Sequence, residues 1–69
     1  MNAELIEFVK NKRKQQGMTQ SDLADIAGVG LRFVIDLEQG KETLRMDKVN
    51  QVLRLFGHKL GPVKMMRGE

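Results

Sequence analysis

Arg32 is the residue best equipped to engage a partner chemically. A guanidinium is planar, permanently charged and rich in donors, so it pairs bidentately with flat acceptor edges such as a carboxylate, a phosphate or the O6/N7 edge of guanine. At about 100° per residue, Arg32 shares one helical arc with Leu31, Ile35 and Gln39, and Asp36 lies at the far edge of that arc. Leu31 and Ile35 are expected to be exposed there, apolar residues that call for an apolar partner. The Asp36 carboxylate could accept from a base amine or orient Arg32. Lys41 and Arg45 follow the arc as two further cations, with Gln39 beside them. Other chemistries lack their residues. There is no cysteine, which excludes disulfides, thiolate metal sites and cysteine nucleophiles. The single histidine, His58, cannot build a zinc site alone. No nucleophile–base pairing and no phosphate-cradling glycine loop stands out. No metal, no cofactor and no enzymatic activity are therefore expected.

The elements that must position these residues are short. A chain of 69 residues is one domain at most. At that size only about 60% of the unfolded surface is buried, so the core is marginal and dimerisation would extend it. The formal net charge of +3 is too mild to name a partner. Lys10, Lys12, Arg13 and Lys14 form one cationic cluster, and Lys41, Arg45 and Lys48 form another. Taken alone, these clusters fit solvated faces and helix C-termini. Gly17, Gly28, Gly40 and Gly57 each follow an apolar-periodic stretch, where a left-handed residue ends a helix. The stretches between them predict helices over residues 3–16, 20–27, 31–39 and 46–56.

In the first helix Leu5, Ile6, Phe8 and Val9 make an apolar arc, and Arg13 lies on that same arc. A cation facing a core needs a partner or an escape to solvent. In the second, Thr19 is a cap with Asp22 as its capping-box acid, and Met18 and Leu23 are spaced as a hydrophobic staple. Leu23, Ala24 and Ala27 face inward. In the third, Phe33, Val34 and Leu37 share the inner arc, with Glu38 at its border. In the fourth, Met46, Val49, Val52, Leu53 and Phe56 make an amphipathic stripe. Beyond Gly57, Gly61 and Pro62 break any helix, and Leu60, Val63, Met65 and Met66 are expected in an extended strand or arm. No apolar run approaches the ~20 residues of a membrane span. The opening residues are acidic and lack the basic start of a signal peptide, so a cytoplasmic protein is expected.

Helices over 20–27 and 31–39, joined across Gly28 and Val29, must turn sharply. Such a turn packs two helices at roughly 90–120°, the helix-turn-helix geometry. It presents the outer arc of the second helix to a partner, and a DNA major groove admits one helix. The pattern Thr19, Gln20, Leu23, Ala24, Ala27, Gly28, Val29, then Val34, Leu37, Glu38, Gly40 and Lys41 resembles the Cro/CI-type (XRE) repressor family. The resemblance runs from about Leu5 to Gly57 and implies an all-α, four-helix, lambda-repressor-like DNA-binding domain over residues 1–57. Members commonly add a fifth helix. The residues after Gly57 resemble instead the HipB-like antitoxins, whose C-terminal strand pairs across a dimer, so residues 58–69 are expected to form a dimerising strand or arm.

The resemblance implies roles for individual residues. Arg13 and Glu38 are expected to form a structural ion pair. Gln20 is expected to clamp a phosphate, with Thr19 beside it at the helix N-terminus. Leu31, Arg32, Ile35 and Asp36 are the expected base-reading set, and Gln39, Lys41 and Arg45 join Thr19 and Gln20 as phosphate contacts. Leu60, Val63 and Met65 are expected at a homodimer interface, so that two recognition helices meet an inverted-repeat operator in double-stranded DNA. The HipB-like features imply a repressor of its own toxin–antitoxin operon, with a HipA-type kinase toxin as partner. A free-standing phage or plasmid regulator, and a protein-interaction module without DNA binding, remain the alternatives.

Overall fold

The computed structural model describes residues 3–65. The chain forms α1 (Ala3–Gln15), α2 (Gln20–Ala27), α3 (Leu31–Gln39) and α4 (Met46–Leu55), and no strand occurs among the described residues. None of these helices is long and apolar enough to cross a membrane. The all-α architecture expected from the periodicity is the one observed. The outer two helices end one residue earlier than the apolar pattern implies.

Local signals set the ends of α2. The Thr19 hydroxyl accepts from the Asp22 amide at 3.0 Å, and the Asp22 carboxylate accepts from the Thr19 amide at 3.0 Å. That reciprocal box satisfies two donors that the first turn leaves free. At the other end Gly28 takes φ 75°, and its N–H reaches the Ala24 carbonyl at 3.0 Å. A Cβ is disfavoured at that φ, so glycine makes the sharp turn into α3 possible. Gly40 ends α3 at φ 84° and adds a second constraint. A Cβ there would lie 3.1 Å from Ile6 Cδ1, so α1 packs directly against this corner.

The core is Val9, Leu23, Ala24, Val34, Leu37, Val49, Val52 and Leu53, with Phe8, Met18, Val29, Phe33, Phe56 and Leu60 packed around it. α2 packs against both α3 and α4, and α1 packs against α3. The small Ala24, 2% exposed, lets these helices approach closely. Met46, expected in the stripe of α4, is instead 68% exposed. It stands on the first turn, where the apolar pattern overruns the core by one turn.

Residues 58–65 form an arm without regular secondary structure. Its start is anchored. The Leu60 amide donates to Asn50 Oδ1 at 2.7 Å, and Leu60 packs on the core of its own chain. Val63 and Met65 are exposed, and Met66 lies outside the described residues.

Candidate nucleic-acid interface

The site is built on α3, whose residues divide by angle. Val34, Leu37 and Glu38 point inward and are buried. Arg32 and Gln39 lie opposite them and are exposed. Ile35 and Asp36 occupy the two shoulders and are half-buried. This corrects the expectation for Ile35. At about 100° per residue it falls beside Glu38 on the helix circumference, so half of it is covered. Leu31, at the first turn, is exposed as expected, at 45%.

Beneath this face lies a polar network that joins three helices. Arg13 of α1 donates from Nε to Glu38 Oε2 at 2.8 Å and from Nη2 to Oε1 at 3.1 Å. The remaining Arg13 donor, Nη1, holds the Met18 carbonyl at 2.9 Å, just before α2. The side chains of Arg13 and Glu38 are only 14% and 2% exposed. Gln20 completes the network, donating from Nε2 to Glu38 Oε1 at 3.1 Å. That contact was not foreseen, because it exists only once α2 and α3 are docked. One amide hydrogen of Gln20 is thus used inside.

On the outer side Asp36 collects two cations. Arg32 Nε lies 3.1 Å from Asp36 Oδ1, and Lys41 Nζ lies 3.7 Å from Oδ2. The Lys41 amide also bonds the Asp36 carbonyl at 3.0 Å. The i,i+4 spacing of Arg32 and Asp36 was the sequence signal for the first of these contacts. Arg45 stands apart as the N-cap of α4, and its guanidinium grips Asp47 at 3.1 and 2.6 Å. The Arg45 hydrogen bonds hold the Asp47 carboxyl below its ordinary pKa. Arg45 is therefore already paired, although it remains exposed. The Asp22 carboxyl is likewise held below its ordinary pKa, by the Thr19 amide first and the Thr19 hydroxyl second.

The arrangement offers a helix N-terminus with Thr19 and Gln20, a convex helix face crowned by Arg32, and Lys41 at the far end. That is a surface able to grip a phosphate backbone on either side of a groove while one helix faces the base edges. The dimer candidates are not gathered with it. Leu60 is held against its own core, and Val63 and Met65 are exposed on the arm. Sequence reasoning also missed Ile26 and Leu55, which are 59% and 40% exposed on α2 and α4.

Comparison with known proteins points the same way. Residues 9–61 match the family model described as Helix-turn-helix. Over 55 residues the chain is 49% identical to an uncharacterized HTH-type transcriptional regulator, y4mF, of Sinorhizobium fredii. The alignment covers 80% of this chain and 72% of that relative.

Proposed function

The chain belongs to the Cro/CI-type helix-turn-helix family of DNA-binding transcriptional regulators, and from that premise we propose that it is a cytoplasmic, sequence-specific repressor acting as a homodimer on an inverted repeat. The observation that carries this reading is the exposed crown of α3, with Arg32 78% exposed above a rigid Arg13–Glu38–Gln20 base. Arg32 reaches a guanine, and Leu31 and Ile35 meet thymine methyl groups beside it. Thr19, Gln20, Gln39, Lys41 and Arg45 set the register on phosphates. In that role Arg45 exchanges its Asp47 partner for a phosphate.

One short recognition helix covers few base pairs, so two are needed on successive grooves about 34–36 Å apart. The arm supplies the second-copy contact through Val63 and Met65, with Leu60 as its anchored root. The apolar residues of the tail, Leu60, Val63 and Met65, are what supports the further reading of the chain as a HipB-like antitoxin bound by a HipA-type kinase toxin. The exposed Leu31, together with Ile26 and Leu55, favours the second reading, a protein-interaction module.

The test is selection of duplexes from a randomised pool, followed by binding at two salt concentrations. Enrichment of an inverted repeat is expected. Failure to enrich any sequence, with no salt-dependent binding, would leave the interaction module. Deleting residues 61–69 keeps Leu60 on the core and is expected to give a folded monomer that binds the selected duplex poorly. A truncated chain that still sediments as a dimer would remove the arm from the interface. For the antitoxin role, co-purification with a kinase encoded next to this chain is the expected result.

A further inference from the structure

Asp36 puts a negative charge on the face that meets a polyanion, and its surroundings give that charge a use. Its side chain is 15% exposed, whereas those of Arg32 and Lys41, which it holds, are 78% and 54% exposed. The carboxylate is therefore the covered member of the trio, and the cations are the exposed ones. The Arg32–Asp36 pair does not follow the order that favours a helix. Arg32 lies in the first turn of α3 and Asp36 four residues on, against both the macrodipole and the better acid-before-base spacing. With the Arg32 end of the pair 78% exposed, water screens it and it contributes little to stability. It does hold one guanidinium to one side: Arg32 Nε stands 3.1 Å from Asp36 Oδ1 as an ion pair, which narrows the rotamers open to Arg32.

We propose that Asp36 is a positioning residue for base recognition, aiming Arg32 at one base pair while damping the attraction of Lys41 for phosphate. This rests on the reading of the chain as a sequence-specific DNA binder. Asp36 then weakens binding to DNA in general and sharpens the choice among sequences. Ordering Arg32 before contact lowers the entropic cost of the specific complex, and every sequence has to overcome the repulsion from the carboxylate.

The experiment compares wild type, Asp36→Asn, Arg32→Ala and the double variant. The probes are the duplex selected by wild type, its single-base-pair variants and a scrambled duplex of equal composition. Asp36→Asn is expected to bind the scrambled duplex more tightly than wild type, with a salt slope steeper by up to about one. Its discrimination should fall about tenfold at the same base pair where Arg32→Ala loses discrimination. The double variant should discriminate no worse than Arg32→Ala alone, because both changes remove one act of recognition. Loss at a different base pair, adding to that of Arg32→Ala, would make Asp36 a base reader itself and overturn the proposal. Equal weakening on selected and scrambled duplexes, with a lowered melting midpoint, would reduce it to a fold contact. A wild-type protein that selects no duplex overturns both this inference and the reading beneath it, whereas a selected duplex with unchanged Asp36→Asn discrimination overturns this one alone.

Discussion

Glu38 and Asp36 stand two residues apart on α3 and face opposite ways, as a rotation of about 200° requires. Each binds an arginine. Glu38 does so in the interior, with both oxygens engaged by Arg13 and one also by Gln20. Asp36 does so at the rim, through one arginine contact and a longer one to Lys41. The same pairing of charges thus serves two purposes, and burial decides which. Inside, desolvation makes each charge depend on its partner, so the pair locks α1, α2 and α3 into one geometry. At the rim, water reaches the Arg32 end of the pair and screens it, and in the proposal above its value lies in where it leaves the guanidinium.

The comparison breaks most decisively at the inner pair. Glu38→Gln strands the Arg13 charge, and Arg13→Met strands Glu38; each is expected to lower stability by about 3–5 kcal/mol. A domain of this size has only about 3–10 kcal/mol in total, from roughly 0.05–0.15 kcal/mol per residue. Either variant should therefore melt far below wild type, and the double variant should recover part of the loss. An unchanged midpoint would make the inner pair no different from an exposed one. The outer arginine should behave in the opposite way. Arg32→Ala is expected to leave the melt unchanged and to weaken the selected duplex by about 1–3 kcal/mol, with preference relaxed at one base pair. Equal losses on selected and random DNA would show that Arg32 contacts only phosphate.

The two faces also differ in how far the sequence discloses them. Helix ends were legible because they are local. Thr19 and Asp22 sit three residues apart, and Gly28 and Gly40 follow the last periodic residue, so α2 and α3 were placed to the residue. The inward angle of Arg13 and Glu38 was legible for the same reason. Contacts made by docking were not. Gln20 looks like any polar residue at a helix start until α3 brings Glu38 to it. Ile35 looks exposed until the width of the core is known, and Met46 looks buried until the length of the core is known. The arm carries an apolar pattern whose partner, in the reading proposed above, is another chain. Residues 58–65 accordingly have no strand partner among the described residues and stay irregular.

A smaller effect sharpens the account of the rim. Lys41 is held by Asp36 at 3.7 Å, so part of its charge is already spent. Lys41→Ala is expected to weaken selected and scrambled duplexes alike and to lower the salt slope by at most about one. A loss confined to the selected duplex would move Lys41 from the phosphates to the bases.

Asp22 is a third carboxylate against which the other two can be measured. It is exposed like the rim, yet it serves the fold like the interior, because its partner is the backbone of its own helix start. Its folded pKa is lowered, by the Thr19 amide foremost, so it stabilises the native state when ionised. That contribution is complete above the ordinary carboxylate value of about 4 and is lost as pH falls through the lowered folded value. The midpoint gap between wild type and Asp22→Ala should therefore be widest near neutral pH, begin to narrow below about pH 4 and close in stronger acid. Both proteins keep Asp47, so its own lowered pKa cancels from the difference. Thermal melts by circular dichroism across that range measure the gap directly. A gap that stays constant into acid would mean that the Asp22 side chain supports the cap without its charge, through the hydrogen bond it accepts from the Thr19 amide at the start of the helix that carries Gln20.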